Sequence, residues 1–360
     1  MTTRVVVWST GNVGRHAIAG VEARPDLELV GVWVSNPDKV GRDAGELAGL
    51  GRTLGVAASG DAAEIFALEP DCIVNTAMAD DRIFEALDDL QTMLRAGINV
   101  VSSGPVFLQF PDGVVPDEMS QGVKTAAVDG GVSLWVNGVD PGFANDVLPL
   151  VLTGVSERID EVRCMEILDY ATYDNHKVMF EIMGFGGPLD EVPMLLQPGV
   201  LTMAWGSVIR QIAAGLAVEL DADLTEHYER LPAPETFDIA SGEIKEGTAA
   251  GLRFEVSGLV GGRPVIVLEH VTRLRGDIGP DWPQPAGAGC YRVKVSGEPN
   301  YTLDLELLGS DGDHNTAGLK ATAMRLVNAI PAVVAAQPGL LSTLDLPLVA
   351  GRGLISGGPA

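Results

Sequence analysis

The chain begins with the stretch TRVVVWSTGNVGRHAIAGV, residues 3–21, in which an apolar run leads into a glycine-containing turn and then a helical pattern. In the dinucleotide-binding fingerprint, three glycines recur as GxGxxG between a strand and a helix. Here Ser9 stands at the first position, whereas Gly11 and Gly14 fill the other two. Gly11 lets the backbone approach a pyrophosphate, and Gly14 lets the helix lie close to its strand. An ordinary strand–loop–helix corner is the alternative, but the context favours nucleotide binding.

The following segments alternate short apolar runs with helical patterns. Strands are predicted at residues 5–8, 27–34, 72–75, 98–101 and 132–136, and helices at residues 12–23, 61–68, 81–96 and 116–130. Strands that alternate with helices predict a parallel sheet covered on both faces. The first part of the chain is therefore predicted to be a Rossmann-type α/β domain.

The pattern changes further along the chain. The stretch LRFEVSGLVGGRPVIVLEHVTRL contains two strand signals joined by Gly261 and Gly262, which indicates a hairpin. We predict an α+β second domain with a mainly antiparallel sheet, and an apolar C-terminal helix that packs back on the first domain. The predicted domains are residues 1–145 for dinucleotide binding, 146–312 for substrate binding and dimerisation, and 313–360 for the C-terminal helix and tail.

Composition restricts the possible partners. The formal net charge of -25 over 360 residues repels phosphate backbones, so nucleic acid is not an expected partner. No apolar run reaches the roughly 20 residues that cross a bilayer, and no signal-peptide pattern is present, so we expect a cytoplasmic protein with no membrane partner. The three cysteines and five histidines show no zinc-site spacing, so no metal is predicted.

The end of the second predicted strand bears on the choice between NAD and NADP. In NAD enzymes an acidic residue there binds the ribose 2′-hydroxyl. This chain has Ser35 and Asn36 at that position, followed by Lys39 and Arg42, whereas Asp38 lies farther round the turn. Two cations in so acidic a chain suit a 2′-phosphate, and a solvated surface loop is the alternative. NADP is therefore the preferred cofactor, with NAD possible.

Loops after the other predicted strands complete the candidate cofactor site. The loop segment NTA follows one central predicted strand, and the loop segment SSG follows the next one. Helix capping is the alternative role for the residues of both segments. The predicted cofactor-binding residues are Ser9, Thr10, Gly11, Asn12, Val13, Gly14, Ser35, Asn36, Lys39, Asn75, Thr76, Ala77, Ser102, Ser103, Gly104, Asn137 and Asn145.

Four segments together resemble a known group of proteins. They are STGNVG, VVSSGPVF, NGVDPGFANDVLP and ATAMRLVNAIPAVVAAQPGLLSTLDLP. The chain resembles the dihydrodipicolinate reductase-like superfamily, and within it the branch of 2,4-diaminopentanoate dehydrogenase and the native amine dehydrogenases. The resemblance implies a Rossmann domain, an α+β domain with the substrate pocket and dimer contacts, and a homodimer. It also implies NAD(P)H-dependent imine reduction or amine oxidation.

In those amine dehydrogenases a glutamate just past the fifth strand holds the amine, whereas the matching stretch SGPVFL has no carboxylate. Asp140, Glu166 and Asp169 are candidates to replace it; helix capping is the alternative for Asp140, and solvent-facing acids are the alternative for the other two. Tyr170 is a candidate proton donor or a packing residue. His270, close to the position of a family pocket histidine, is a candidate catalytic residue or a core histidine.

The predicted substrate pocket is largely apolar, which indicates a small, partly hydrophobic molecule. Its residues are Val106, Phe107, Phe143, Arg163, Met165 and Tyr173, whereas Met203 and Trp205 are predicted as core. The expected function is an NAD(P)H-dependent amine dehydrogenase or imine reductase acting on a small amine, or on a ketone plus ammonia. A carbonyl reductase on the same scaffold and a non-catalytic nucleotide-binding sensor are the alternatives.

Overall fold

A computed structural model describes residues 2–355, which form two compact units. The first unit contains the chain from residue 2 to Val139 and from Leu319 to residue 355, and the second unit is Asp140–Gly318. The fold class predicted from the sequence is confirmed, with a parallel Rossmann-type sheet in one unit and a mainly antiparallel sheet in the other. Within the described residues, no helix is both long and apolar enough to span a membrane.

The strands and helices alternate early in the chain and separate later. In chain order the strands are β1 (Thr3–Trp8), β2 (Leu27–Trp33), β3 (Ala58–Ser59), β4 (Cys72–Asn75), β5 (Asn99–Ser102), β6 (Ser133–Val136), β7 (Arg158–Asp169), β8 (Thr225–Pro232), β9 (Phe237–Ile239), β10 (Gly242–Ile244), β11 (Ala249–Val260), β12 (Arg263–Arg273), β13 (Gly289–Glu298), β14 (Tyr301–Leu305) and β15 (Gly339–Leu341). The α-helices are α1 (Asn12–Glu22), α2 (Ala44–Leu47), α3 (Ala62–Phe66), α4 (Ile83–Arg95), α5 (Asp117–Gly130), α6 (Val147–Thr153), α7 (Val200–Gly215) and α8 (His314–Val334).

The sheet of the first unit is parallel throughout. Its order is β15-β6-β5-β4-β1-β2-β3, with β1 at a central position. Val5, Val6 and Val7 of β1 are fully buried, as expected for a parallel strand covered on both faces. The carboxyl ends of β1, β4, β5 and β6 therefore lie at one edge of this sheet, where α/β proteins bind their ligands.

The C-terminal part of α8 completes the core of the first unit. Leu326 and Val327 are fully buried in the same cluster as residues of β1 and α1. A Cβ placed on Gly20 would lie 2.2 Å from the Met324 side chain, which shows how closely α1 and α8 approach. The predicted return of the C-terminal helix to the first domain is confirmed.

The sheet of the second unit is mixed. Its order is β14-β13-β7-β12-β11-β8, in which β7 and β12 run parallel and the other neighbours run antiparallel. The predicted hairpin between β11 and β12 turns at Gly261 and Gly262, whose φ angles of 60° and 78° suit glycine in a two-residue turn. The parallel pair β7–β12 positions the candidate site.

The two faces of this second sheet differ in character. One face, against which α7 packs, is part of a large apolar core that includes Cys164, Phe254 and Leu268. The other face carries ion pairs, among them Arg163 with Glu255 at 2.6 Å. Because successive strand residues point to opposite faces, this division decides which polar side chains meet.

Candidate active site

The predicted nucleotide-binding turn has the geometry of the fingerprint. Ser9, at the first glycine position, has a φ of 85°, a conformation that glycine adopts more readily. A Cβ on Gly14 would lie 2.1 Å from the Ser9 carbonyl oxygen and 2.8 Å from Thr76 Oγ1, so the close approach of helix and strand requires glycine there. A Cβ on Gly11 would meet nothing closer than Ser9 Oγ at 3.9 Å. This open backbone before the N-terminus of α1 suits a diphosphate.

Hydrogen bonds hold the neighbouring loops at the carboxyl edge of the first sheet. Thr76 Oγ1 donates to the Trp8 carbonyl oxygen at 3.1 Å, and Asn75 Nδ2 donates to Ser102 Oγ at 3.0 Å. Asn137, which follows β6, accepts from Arg325 Nε of α8 at 3.0 Å. Asn75, Ser102 and Asn137 are buried, so their side chains order the loops around the turn.

Lys39 is the predicted cation that reaches the nucleotide-binding turn. Its Nζ donates to the Thr10 carbonyl oxygen at 3.2 Å and to Thr10 Oγ1 at 3.1 Å. Arg42 instead pairs with Glu46 at 2.7 Å. Asn36 accepts from the Asp38 backbone N–H at 2.9 Å and thereby caps the short turn that carries Lys39.

In the second unit, sheet register brings four side chains into one row. Phe254 pairs with His270, His270 with Glu166, and Glu166 with Tyr291, across strands β11, β12, β7 and β13. Residues directly opposite one another on neighbouring strands share a face and lie in contact. Asp140, the first residue of the unit, joins this row at His270.

We call Asp140, Glu166 and His270 the acid–base cluster. His270 Nε2 lies 3.3 Å from Asp140 Oδ1, and its Nδ1 lies 3.7 Å from Glu166 Oε1. Trp205 Nε1 donates to the same Asp140 oxygen at 3.0 Å, and the Tyr170 hydroxyl donates to Glu166 Oε1. The side chains of the cluster are only 3–6% exposed, so these charges interact with little screening by water.

Burial and charge act together on the protonation of the cluster. Burial, opposed by the charge of His270 and reinforced by that of Asp140, raises the pKa of Glu166 to about 7. Burial would lower the pKa of His270, but Asp140 and Glu166 hold it above its usual value. Burial would raise the pKa of Asp140, but His270 and the Trp205 indole hold it below its usual value. Glu166 is thus poised to exchange a proton near neutral pH.

Aromatic rings surround the cluster. Phe254 stacks on His270 with ring centroids 4.6 Å apart, and Trp205 meets the same imidazole edge-on at 4.6 Å. Tyr173 stacks on Tyr170 at 5.3 Å. Burial raises the pKa of Tyr170 well above its usual value, so its hydroxyl keeps its proton and acts as a donor to Glu166.

Three predicted site residues lie on the other face of the second sheet. Arg163 pairs with Glu255, and Met165 is buried in a small core with Ile167 and Trp282. Asp169 accepts from the Ala171 backbone N–H at 2.8 Å, and burial raises its pKa. The structure therefore brings Glu166, Tyr170 and His270 together with Asp140 but leaves Arg163, Met165 and Asp169 apart from them.

The remaining predicted residues are divided between the two units. Val106 and Phe107 lie in a short turn after β5 in the first unit, where Phe107 is buried. Phe143 and Asn145 belong to the second unit, where buried Asn145 accepts from the Gly142 backbone N–H at 2.7 Å.

Sequence reasoning missed the polar role of Trp205 and the positions of Phe254 and Tyr291. Trp205 lies at an apolar position of α7, so its periodicity predicts only burial, and its hydrogen bond to Asp140 depends on tertiary packing. Phe254 and Tyr291 sit in alternating strands, and they reach the cluster only through the register of the sheet. No local sequence signal distinguishes them from ordinary core residues.

The ligand-type atoms of the acid–base cluster lie within 4.8 Å of one another, a spacing that a divalent metal ion could also use. Each of these side chains already contacts a protein partner: Asp140 contacts Trp205, Glu166 contacts Tyr170, and His270 contacts both carboxylates. These contacts give each of the three side chains a polar partner within the protein. The absence of a metal stays a prediction.

Comparisons with known proteins relate the N-terminal part of the chain to a reductase family and the C-terminal part to a dehydrogenase family. The family described as the 2,4-diaminopentanoate dehydrogenase C-terminal domain matches residues 143–354, and that described as the dihydrodipicolinate reductase N-terminus matches residues 3–102. An amine dehydrogenase from Streptomyces virginiae is 46% identical over 347 residues, which cover 95% of this chain and 96% of that protein.

Solved structures share the fold. The amine dehydrogenase from Mycobacterium smegmatis aligns with a TM-score of 0.78 at 22% identity, covering 98% of each chain. An oxidoreductase from Agrobacterium radiobacter, solved with NAD+, L-tartaric acid and magnesium, aligns with a TM-score of 0.57 at 12% identity, covering 96% of this chain and 92% of that chain. These similarities extend across both units.

Proposed function

The chain belongs to the 2,4-diaminopentanoate dehydrogenase family, and on this premise we propose that its acid–base cluster binds and deprotonates an amine. It is an NAD(P)-dependent oxidoreductase of the amine dehydrogenase type, as its sequence resemblance predicts. The observation that carries the site proposal is the buried contact of His270 with two carboxylates, Asp140 and Glu166.

The charge of the cluster favours a cationic substrate. With Asp140 and Glu166 ionised and His270 protonated, the cluster carries one excess negative charge in a buried place. A buried, uncompensated charge is costly, and a bound ammonium or iminium group would neutralise it. A neutral alcohol would leave the charge uncompensated. The cluster therefore supplies the carboxylate that the stretch after β5 lacks.

The proton chemistry follows from the same geometry. An amine must lose its ammonium proton before its carbon can release a hydride, and Glu166, with a pKa of about 7, is suited to accept that proton. His270 and Tyr170 hold Glu166 from two sides. The chemistry that a bound nicotinamide would supply is hydride transfer between an amine and the corresponding iminium ion. In the reductive direction the order reverses: once hydride has been added to the iminium carbon, the resulting amine nitrogen takes its proton from Glu166.

The nucleotide-binding turn supports a nicotinamide cofactor, and we propose a preference for NADP. Lys39 Nζ lies at Thr10, beside the turn, and no carboxylate occupies the positions of Ser35 and Asn36 at the end of β2. A 2′-phosphate would find one ammonium group and one hydroxyl there. NAD would lose this charge pairing but keep the diphosphate contacts of the turn.

Three further features stay proposals. The substrate is a small, partly hydrophobic amine, because Trp205, Phe254 and Tyr173 place aromatic surface around the cluster. The homodimer is supported by the family resemblance, and light scattering of the purified protein measures it. The cytoplasmic location expected from the sequence also stays a proposal.

Turnover of purified protein with small primary amines tests the function. We expect NADP+ to be reduced at 340 nm with amines and not with the matched alcohols. In the reverse direction, NADPH should be oxidised with ketones only when ammonium is present. Ketone reduction without ammonium would indicate a carbonyl reductase, and cofactor binding without any turnover would indicate a sensor.

A further inference from the structure

Trp205 and His270 converge on one oxygen atom. Trp205 Nε1 and His270 Nε2 lie 3.0 Å and 3.3 Å from Asp140 Oδ1, and the two rings also contact each other edge-on. The indole N–H can only donate a hydrogen bond. An oxygen that accepts from it is poorly placed to carry a proton itself.

The shared oxygen decides where the imidazole keeps its proton. Since Asp140 Oδ1 accepts from Trp205, the proton between Asp140 and His270 belongs to Nε2 of His270. The second ring nitrogen, Nδ1, then faces Glu166 Oε1 at 3.7 Å. Nδ1 is an acceptor when the ring is neutral and a donor when the ring is charged.

We propose that Trp205 is a positioning residue that fixes His270 in the Nε2–H tautomer and so reserves Nδ1 for proton exchange with Glu166. In this exchange one proton passes between His270 Nδ1 and the Glu166 carboxyl group, while the Nε2–H bond to Asp140 stays intact. Only the consequence for catalysis rests on the proposed function; the tautomer itself does not.

Other groups also lie around the His270 imidazole. Phe254 of β11 stacks on the ring and restricts its rotation. The titratable and charged groups around the cluster are Cys164, Glu166, Tyr170 and Tyr173 on β7 and the loop after it, Glu269 on β12, and Tyr291 on β13. Nε2 itself faces Asp140 Oδ1 at 3.3 Å.

Tautomers are measured directly by long-range 1H–15N correlation spectra of protein labelled at histidine. The chain has five histidines, and His270→Asn identifies the resonances of His270. At a pH above the titration of His270, we expect the neutral ring in the Nε2–H form. Trp205→Phe should produce a mixture of both tautomers.

Trp282→Phe is the matched control. Trp282 Nε1 also donates to a carboxylate, Glu229 Oε2 at 3.2 Å, but on the other face of the same sheet. This variant should leave the His270 tautomer unchanged. An Nδ1–H form in the unaltered protein, or a pure Nε2–H form in folded Trp205→Phe, would overturn the proposal.

A second measurement needs no variant of Trp205. In the unaltered protein the indole 1H–15N resonance of Trp205 should follow the titration of His270, whereas that of Trp282 should not. A Trp205 resonance that does not change with this titration would also refute the proposal.

For catalysis, Trp205→Phe should lower kcat for amine oxidation about tenfold and leave KM within about twofold. Because the spectra need neither cofactor nor amine, they test the tautomer of His270 independently of the amine dehydrogenase activity.

Discussion

Glu166 and His270 are direct neighbours across the parallel strands β7 and β12, and Glu166 Oε1 lies 3.7 Å from His270 Nδ1. The contact is buried, and it joins an acid that titrates near neutral pH to a base held by a second carboxylate.

Glu166→Gln should abolish most of the amine oxidation. The amide keeps the size of the side chain but cannot accept the ammonium proton, so we expect kcat to fall at least about 100-fold. The measurement is the initial rate of NADPH formation with saturating amine. Glu161→Gln, on the same strand but paired with Arg163, is the control and should keep nearly full activity. Equal rates in the two variants would contradict the role of Glu166.

The rate of amine oxidation should rise with pH through about 7, because only ionised Glu166 accepts a proton. The rise should disappear in Glu166→Gln, which has no titrating carboxyl at this position. A pH profile of kcat between pH 5.5 and 9 in both proteins provides the measurement. A rise that persists unchanged in the variant would assign the titration to another group.

The same shift makes a prediction about stability. Burial raises the pKa of Glu166 in the folded protein to about 7, above the 4.5 of a solvated glutamate, so the folded protein binds more protons than the unfolded chain between these two pH values. The contribution of Glu166 to folding stability therefore decreases as pH rises from about 4.5 to 7. Glu166→Gln should raise Tm relative to the unaltered protein at pH 8 more than at pH 5. Thermal unfolding at both pH values measures this difference, and an effect of opposite sign would exclude a raised pKa.

Ser9→Gly should stabilise the protein. Ser9 has a φ of 85°, where a side chain is strained and glycine is not. Glycine loses more chain entropy on folding, which offsets part of the relieved strain. The expected net increase in the free energy of unfolding is about 0.5–1 kcal/mol, measured as a higher denaturation midpoint. Gly14→Ala is the opposite case, because its Cβ would collide with the Ser9 carbonyl oxygen. Gly14→Ala should therefore lower both the stability of the protein and its affinity for the nicotinamide coenzyme. An unchanged Kd of the coenzyme in this variant would argue against cofactor binding at this turn.

Lys39→Ala should weaken the binding of NADP+ about 10- to 100-fold, since it removes the ammonium group at Thr10. The Kd of NAD+ should change little. Arg42→Ala is the matched control, because Arg42 pairs with Glu46 and should leave both constants unchanged. Isothermal titration calorimetry with each coenzyme measures the four constants. An equal loss of affinity for NAD+ and NADP+ would show that Lys39 does not recognise the 2′-phosphate.

The sequence by itself determined the Rossmann-type unit, the hairpin at Gly261 and Gly262, and the family resemblance. These features depend on short-range patterns: a strand, a turn and a helix that follow one another, or two glycines between alternating runs. The sequence also named Asp140, Glu166 and His270 as separate candidates. It did not determine which of these three side chains lie in contact with one another.

Only the tertiary structure decided the composition of the acid–base cluster. Glu166 and Asp169 look alike as acids in one strand, but alternation separates their faces, and only packing decides which face turns toward α7. His270 meets Glu166 because distant strands pair in one register, and Trp205 meets Asp140 because α7 lies over that face. Contacts between residues far apart in the chain depend on the free energy of packing the whole unit, which no local pattern encodes.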